Sequence, residues 1–308
     1  MIITFDIGGT TTKAGISADG NSFLYQITEK SCKPSNVGME SCAESIHNIS
    51  TKLCAKVGIG FSDINGISIG VSGVATDTEQ VELKSHLYRI ANTRLETLPK
   101  THITTDAECA LVGALGSVEA TGIVILSGTG SIAFGKKNDG TIERCGGYGY
   151  PISDEGSGTW IAIEAIKAII AHVEGRGKKT KLTTELQTQF NINIHSDLRE
   201  FVQRVHTDNK LLTQVPAIVF SLCNNDAIAQ HILERTSMEL AVLARALLTS
   251  FPIHKNIPCS VAGTIATHPV LMSFLEKQLS NKPNRLRFQQ PIGNGLDGAL
   301  LIGKSVWK

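Results

Sequence analysis

The start of the chain alternates short apolar runs with glycine-containing turns, which is typical of a strand hairpin. Ile2–Phe5 is an apolar run that ends shortly before Gly8-Gly9, and Thr11–Ile16 is a second run. Asp19-Gly20 is a common hairpin turn, and Phe23–Ile27 follows it. The pattern therefore predicts three successive strands.

The same pattern recurs about 120 residues later in the chain. Ile123–Leu126 and Ser131–Phe134 flank the turn Gly128-Thr129-Gly130, and Asp139-Gly140 follows as a second turn. Two copies at this separation indicate a duplicated domain rather than a solenoid of short repeats.

Helical periodicity dominates the segments that follow each hairpin. The clearest case is Met39–Val57, whose apolar residues lie on one stripe. Further helices are predicted at Ala107–Leu115, Ser157–His172, Asp226–Leu248 and Leu296–Ile302, and further strands at Ile67–Val71, His102–Thr104 and Ser260–Ala262. Strands early in each half, followed by helices, predict a mixed α/β fold in two lobes.

Composition narrows the choice of partners and compartment. A chain of 308 residues is long enough for two domains, and its net charge of +1 gives no reason to expect nucleic acid or a membrane surface as a partner. The seven cysteines form no C-x-x-C pair, which argues against a zinc ribbon or a thioredoxin-like redox site. Without a signal peptide or a membrane-spanning run, the protein is expected to be cytoplasmic with reduced thiols.

The two glycine turns have the chemistry of phosphate sites. In Asp6-Ile7-Gly8-Gly9-Thr10, backbone N–H groups can surround phosphate oxygens, Thr10 adds a hydroxyl, and Asp6 can hold hydrated Mg²⁺. Ser127-Gly128-Thr129-Gly130-Ser131 offers the same donors without a carboxylate. Either turn alone could be only a turn, but a pair in matching strand frames is more specific.

These paired hairpins resemble the two phosphate motifs of the actin, Hsp70 and sugar-kinase superfamily. Within it, Thr104-Thr105-Asp106-Ala107, the stretch Leu126 to Ser131, and Gly146-Gly147-Tyr148-Gly149 running on to Asp154-Glu155-Gly156-Ser157 resemble the eukaryotic-type N-acetylglucosamine kinases. The bacterial glucosamine kinases of the BadF/BadG/BcrA/BcrD group are similar in the same positions.

The resemblance implies a fold, cofactors and partners. The fold would be α/β, with two RNase H-like lobes of the actin and hexokinase type and a central cleft that holds the active site. The first lobe would cover 1–117 together with a terminal helix at 294–308, and the second would cover 118–293. The cofactors would be ATP and Mg²⁺, the partner a small sugar, and the assembly a homodimer.

The resemblance also implies a role for Asp106. Asp106 follows a strand and precedes a helix, where the family keeps its general base, and it could accept the proton of the sugar 6-hydroxyl as that oxygen attacks the γ-phosphoryl group. From the residues alone, Asp106 could equally be the N-cap of the helix that starts at Ala107.

The remaining site residues follow from the same resemblance. The metal would be held by Asp6. The nucleotide would be bound by Gly8, Gly9, Thr10, Thr11, Lys13, Gly128, Thr129 and Gly263. The sugar would be bound by Asn36, Gly73, Asp106, Gly130, Ser131, Gly147, Tyr148, Gly149 and Asp154.

Two positions depart from the eukaryotic pattern. Tyr148 stands where those enzymes have tryptophan, which keeps an aromatic wall and adds a hydroxyl. Ile132 stands where they have a polar residue that contacts the sugar, and an apolar side chain cannot make that hydrogen bond. The identity of the sugar is therefore less certain than the reaction.

Two literal motif matches are rejected. Gly298 to Ser305 satisfies the P-loop pattern, but its intervening residues are apolar helix formers, so a terminal helix is predicted. Gly128 to Ala133 matches a loose dinucleotide fingerprint, but a strand follows it where that motif requires a helix.

Three other functions remain open. A glucosamine kinase is the nearest alternative. An activator ATPase of 2-hydroxyacyl-CoA dehydratases would need cluster-ligating cysteines, for which only Cys145 beside Gly146 is suggestive. A sugar-sensing regulator would carry a DNA-binding domain, and none precedes Ile2 in this sequence.

Overall fold

The computed structural model describes residues 1–207, 209–252, 256–280 and 286–307. The chain forms two compact units. The first unit contains Met1–Thr121, Asn138–Gly140 and Gln290–Lys308, and the second contains Gly122–Lys137 and Thr141–Gln289. The lobe boundaries proposed from the sequence stay a prediction about folding units.

The first unit is built on a five-stranded sheet. Its strands are β1 (Ile2–Ile7), β2 (Thr11–Ser17), β3 (Tyr25–Lys30), β4 (Gly66–Val71) and β5 (Lys100–Thr105), in the order β3-β2-β1-β4-β5. The β1–β2 and β2–β3 pairs are antiparallel, whereas β4 pairs in parallel with both β1 and β5. Its helices are α1 (Pro34–Val37), α2 (Met39–Val57), α3 (Asp77–Thr93), α4 (Asp106–Leu115) and, from the end of the chain, α11 (Gly295–Val306). A short 3₁₀ helix lies at Phe61–Asp63.

The second unit repeats this sheet. Its strands are β6 (Gly122–Ser127), β7 (Ser131–Lys136), β8 (Ile142–Gly146), β9 (Ile257–Ala262) and β10 (Leu286–Phe288), in the order β10-β9-β6-β7-β8. Its helices are α5 (Gly158–Val173), α6 (Leu182–Phe190), α7 (Ile194–Thr207), α8 (Asn209–Leu222), α9 (Ala227–Leu247) and α10 (Pro269–Ser280), and Leu248–Ser250 forms a 3₁₀ turn. Because strand order and pairing directions match the first unit, the predicted duplication and mixed α/β fold are confirmed.

The third predicted strand lies further along the chain than the sequence indicated. The Asp19 carboxylate accepts hydrogen bonds from the N–H groups of Asn21 and Ser22, so the Asp-Gly turn extends into a longer loop. Phe23 packs against Gly15, and the strand begins at Tyr25 instead of Phe23. A two-residue hairpin turn was therefore the wrong prediction here, since the side chain of Asp19 competes for the backbone donors.

Helix α3 was missed between the strands predicted at Ile67–Val71 and His102–Thr104. It begins at a capping box, in which Glu79 N–H donates to the Thr76 hydroxyl and the Glu79 carboxylate accepts from Thr76 N–H. The Thr-x-x-Glu spacing was a usable signal for this start. Strand β10 and helix α10 were also missed. No helix among the described residues is long and apolar enough to cross a membrane.

The P-loop-like segment Gly298 to Ser305 lies within α11, as predicted, and its glycines serve helix packing. A Cβ on Gly298 would lie 1.8 Å from the carbonyl oxygen of Cys109 in α4. In return, a Cβ on Gly113 of α4 would lie 1.9 Å from the carbonyl oxygen of Asn294. The two helices therefore approach at backbone contact, which only glycine at both positions permits.

We expect Gly298→Ala to lower the free energy of unfolding by about 2 kcal/mol, because its methyl group must displace the α4 backbone. Helix propensity alone predicts the opposite sign, since alanine is favoured over glycine inside a helix by about 1 kcal/mol. Urea denaturation measures the difference.

Gly60→Ala is the matched control, because a Cβ there meets only Ser62 Oγ at 3.6 Å and the glycine has an ordinary backbone conformation. This control should be neutral or slightly stabilising. Equal effects of the two substitutions would contradict the close helix contact.

Candidate active site

The order of the first sheet brings three side chains together at the carboxyl ends of its parallel strands. Asp6 lies near the end of β1, Ser72 follows β4, and Asp106 follows β5. The register pairs Asp6 with Gly70 and Val71 with Thr105 across adjacent strands. In open α/β sheets, this edge is where ligands bind.

Asp106 is not the N-cap of its helix. Thr105 is the N-cap, and its hydroxyl accepts the N–H of Glu108 at 3.0 Å. Asp106 is the first helical residue, and its Oδ1 accepts only the adjacent N–H of Ala107 at 2.9 Å among its backbone contacts to other described residues. The alternative reading of Asp106 as a structural cap is therefore wrong, and its carboxylate is available for chemistry.

Burial raises the pKa of Asp106, while a hydrogen bond from Ser72 and the positive charge of Lys33 lower it. A carboxyl with a raised pKa is a better proton acceptor than an ordinary aspartate. Ser72 and Lys33 were not singled out from the sequence. Only the fold brings them to Asp106, although a serine directly after a buried strand and before Gly73 was a weak signal.

The surroundings of Asp6 disfavour the ionised form of its carboxyl group. Burial, followed by the negative charge of Asp106, raises the pKa of Asp6 to about 6, and Lys13 opposes the shift. Lys13 is the cross-strand partner of Asp6 on β2. The start of α11 also packs closely, since a Cβ on Gly295 would lie 2.6 Å from an Asp6 carboxylate oxygen.

This pair of acids fits a hydrated Mg²⁺ that a nucleotide brings with it. Burial and the charge of Asp106 raise the pKa of Asp6, and a cation beside the Asp6 carboxylate would oppose both effects. Mg²⁺ in nucleotide sites is held by one or two carboxylates plus phosphates and water. Within the described part of the chain, no group of three or more His, Cys, Asp or Glu residues forms a complete metal site.

The carbonyl oxygens of the first glycine turn accept hydrogen bonds from residues outside the turn. Gly8 N–H donates to Thr11 O at 3.0 Å, which closes the turn. Ser31 donates through its hydroxyl to Gly8 O and through its N–H to Thr10 O, and Asn36 donates to Gly9 O at 3.5 Å. The sequence-predicted sugar ligand Asn36 therefore lies beside the turn, while Gly9, Thr10 and Thr11 are exposed. Gly73 is exposed directly after Ser72.

The second glycine turn is anchored in an analogous way by the start of α5. Gly128 N–H donates to Gly130 O at 3.0 Å and closes the turn. Gly158 N–H donates to Gly128 O at 2.8 Å, and the Thr159 hydroxyl donates to Thr129 O at 2.9 Å. Both turns thus have their carbonyl oxygens occupied, which is the arrangement expected if their N–H groups serve an anion.

Asp154 joins the second turn to the glycine-rich loop before α5. Its carboxylate approaches Gly130 so closely that a Cβ there would lie 2.6 Å from Oδ2, and its Oδ1 accepts the N–H of Gly149 at 3.3 Å. Ser131 donates its hydroxyl to Glu155 O at 2.7 Å. The structure therefore brings together the predicted sugar residues of this unit, and Tyr148 is exposed among them.

Ile132 has a packing role that explains its apolar character. A Cβ on Gly147 would lie 2.4 Å from Ile132 Cδ1, so the isoleucine side chain packs directly against the backbone of this loop. Its side chain is engaged with the loop and contributes no polar contact. Any polar side-chain contact from this loop to a ligand must therefore come from residues other than Ile132.

Gly263 is required by the protein backbone itself. It has φ of +89°, and a Cβ there would lie 2.5 Å from Ser127 O. Next to it lies a cavity of about 420 Å³ that the sequence did not reveal, lined by Thr213, Pro216, Ala217, Phe220, Ser221, Thr264, Ile265 and His268. Phe220 and His268 stack at 3.9 Å between ring centroids. Its lining comes from α8 and the segment after β9, which no local motif connects.

A family model covers almost this whole arrangement. The BadF/BadG/BcrA/BcrD ATPase family matches residues 5–303, which include both glycine turns, Asp106 and Gly263. The chain belongs to the BadF/BadG/BcrA/BcrD ATPase family. The family resemblance inferred from the motifs is thereby confirmed.

Proteins similar to this chain match it over almost its whole length. An N-acetylmuramic acid/N-acetylglucosamine kinase of Clostridium acetobutylicum is 28% identical over 99% of this chain and 98% of its own. An N-acetyl-D-glucosamine kinase of Dictyostelium discoideum is 25% identical over 92% of each chain. A crystal structure described as an N-acetylglucosamine kinase from Chromobacterium violaceum aligns over 98% of both chains with a TM-score of 0.78 at 23% identity, which shows the same fold.

We expect Asp6→Asn to stabilise the ligand-free protein by about 2 kcal/mol at pH 8, because it removes a charge whose pKa is raised from 3.8 to about 6. A raised pKa means that protonation favours the folded state. This contribution is complete below pH 4 and is lost as the pH rises through about 6, so the difference between variant and wild type should vanish near pH 4.

Urea denaturation at pH 4 and pH 8 measures this difference. The exposed Glu200 lies on a helix surface, and Glu200→Gln serves as the control for the loss of one acidic group. A stabilisation by Asp6→Asn of equal size at both pH values would contradict the raised pKa.

Proposed function

We propose that this protein is an ATP-dependent kinase that transfers the γ-phosphoryl group of ATP to the 6-hydroxyl of N-acetylglucosamine. The observation that carries the proposal is Asp106, a carboxylate with a raised pKa that its helix does not need as a cap. Its neighbours are Asp6 and a glycine turn, within a family of ATPases. Both relatives named above act, by their names, on N-acetylglucosamine.

Asp106 would act as the general base. Its carboxylate would take the proton of the sugar 6-hydroxyl as that oxygen attacks phosphorus, and its raised pKa would make it a stronger base than an ordinary aspartate. Ser72 donates a hydrogen bond to it and Lys33 contributes positive charge, so together they would orient the ionised form. Phosphoryl transfer requires little covalent chemistry from the protein, so positioning of the acceptor hydroxyl would account for much of the rate enhancement.

The phosphate groups would be held by backbone donors. Gly9 and Thr10 in the first unit, and Thr129 in the second, have their carbonyl oxygens bonded within the protein and would present their N–H groups to phosphate oxygens. The N–H groups of Gly8 and Gly128 close the two turns, on Thr11 O and Gly130 O, and would hold these donors in place. Asp6 would hold Mg²⁺, which would neutralise charge on the phosphates when bound. Lys13, across the sheet from Asp6, would add a second positive charge.

The nucleoside would occupy the cavity beside Gly263 and Thr264. The stacked pair Phe220 and His268 offers a flat surface of the kind that adenine contacts, and the cavity of about 420 Å³ has room for it. Burial lowers the pKa of His268, so its ring stays neutral and stacks without placing a positive charge beside the base.

The sugar would be bound by the loop that precedes α5. Asp154 accepts hydrogen bonds and could accept those of sugar hydroxyls, while Tyr148 gives an aromatic wall. Gly130, Ser131, Gly147 and Gly149 shape the loop. Asn36 and Gly73 stay predicted sugar ligands of the first unit. Homodimer formation belongs to this proposal as well.

The other functions have less support. A glucosamine kinase would use the same chemistry, and only the substrate distinguishes it. The dehydratase activator has less support, because the relatives named above are called sugar kinases and the described cysteines other than Cys145 are buried.

The Asp106→Asn variant tests the proposal. We expect it to reduce kcat for N-acetylglucosamine phosphorylation by 10²-fold or more, on the order of the contribution of a general base. Binding of ATP and of the sugar, measured by calorimetry, should change little, because asparagine keeps the size and most hydrogen bonds of aspartate. Thr105→Ala serves as the control, since it removes the helix cap and leaves the carboxylate.

A substrate panel tests the rest. Wild-type enzyme should phosphorylate N-acetylglucosamine faster than glucosamine, and nuclear magnetic resonance of the product should locate the phosphate on C6. Normal turnover by Asp106→Asn would remove Asp106 as the base, and a preference for glucosamine would establish the alternative substrate.

A further inference from the structure

An arginine lies over the exposed aromatic ring of the sugar loop. The guanidinium carbon of Arg144, on strand β8, is 4.8 Å from the ring centroid of Tyr148. Tyr148 is 73% exposed, so the ring keeps a large accessible surface beside the cation. A planar guanidinium stacked on a ring directs its N–H groups outward from the stack, where a flat anion can accept two of them.

No carboxylate in the described part of the chain neutralises the charge of Arg144. Its neighbour Glu143 is already bound to Lys137 at 2.7 Å. Across residues 1–207, 209–252, 256–280 and 286–307, no carboxylate forms an ion pair with Arg144, whose recorded contact is the Tyr148 ring.

A second arginine in the same unit shows what a purely structural stack looks like. Arg235 lies 5.0 Å above the ring of Trp160, and it also binds the carboxylate of Glu164 at 2.8 Å. The stack at Trp160 is therefore complete within the protein. At Tyr148 the distance from the guanidinium carbon to the ring centroid is similar, 4.8 Å, and no carboxylate of the described residues pairs with the arginine.

The position of this cation relative to the loop defines its ligand. Tyr148 lies between Gly147 and Gly149, and the Gly149 N–H binds Asp154, which in turn contacts Gly130. Arg144 is thus one side chain away from the loop that would bind the sugar. Since Ile132 is engaged in supporting Gly147, a polar group that distinguishes substrates has to come from elsewhere on the loop.

We propose that Arg144, held over Tyr148, binds a carboxylate carried by the acceptor sugar, so that the enzyme also takes N-acetylhexosamines with an acidic substituent. This inference rests on the proposed sugar-kinase function. The chemical class is an N-acetylglucosamine with a carboxyalkyl ether, as in N-acetylmuramic acid, whose lactyl group adds one carboxylate and for which the Clostridium acetobutylicum relative is also named. The new element is the assignment of carboxylate recognition to Arg144. The guanidinium would bind that carboxylate through two parallel N–H groups.

Three acceptors separate charge from size. They are N-acetylglucosamine, N-acetylmuramic acid and the methyl ester of N-acetylmuramic acid, which keeps the bulk and lacks the charge. We expect Arg144→Gln to lower kcat/KM for the acid at least about tenfold relative to kcat/KM for N-acetylglucosamine, as expected for a lost hydrogen-bonded charge pair. The ratio of kcat/KM for the ester to kcat/KM for N-acetylglucosamine should be the same in the variant and the wild type.

Two further variants provide controls. Arg144→Lys keeps the charge without the planar fork, and should retain part of the preference for the acid. Arg235→Gln breaks the matched stack on Trp160 and should change kcat/KM for the three sugars by the same factor.

The outcomes distinguish the two proposals. If wild-type protein phosphorylates none of the three sugars, the sugar-kinase function itself fails. If it phosphorylates N-acetylglucosamine and not the acid, or if Arg144→Gln lowers all three values equally, the kinase stands and the carboxylate site is overturned.

Discussion

The site of the first unit depends on the backbone contact between α4 and α11. Gly298 and Gly113 let each helix lie against a carbonyl group of the opposite segment, at Cys109 and Asn294. The same contact holds the first turns of the two helices beside one another. Asp106 starts α4, and Gly295, which lies against the Asp6 carboxylate, starts α11. A change in the crossing would therefore move both acids, although no crossing residue touches a substrate.

The consequence of this packing is electrostatic. Two helix starts and three strand ends converge on one small volume, which buries two carboxylates and raises the pKa of each. Such a pair destabilises the ligand-free fold at neutral pH, because ionisation there opposes burial. Under the proposed function, this loss of stability would let Asp106 accept a proton while Asp6 attracts a cation. Functional sites commonly show this conflict between local stability and chemistry.

Much of the fold was predictable because its signals are local. The two hairpins follow from glycine turns between apolar runs, and α2 was predicted with the observed bounds Met39–Val57. Helix α3 was predictable in principle from the capping box at Thr76. The shift of β3 was not, since it depends on the Asp19 side chain taking two backbone donors. Likewise, Ser72, Lys33 and the cavity lined by α8 come from distant segments, and only the fold brings them together.

The candidate site residues of the two units differ in chemistry and in structural support. The first unit concentrates ionisable groups at strand ends, where the backbone holds them rigidly. In the second, Asp154 and Tyr148 lie on a loop whose support is apolar, with Ile132 beneath Gly147. An apolar support fixes the loop without selecting among hydroxyl groups. Selection then falls to side chains at the exposed rim, and Arg144 is the cation there without an anion among the described residues. Under the proposed function, the reaction would therefore depend on groups at the strand ends, and the choice of acceptor on one residue at the rim of the loop.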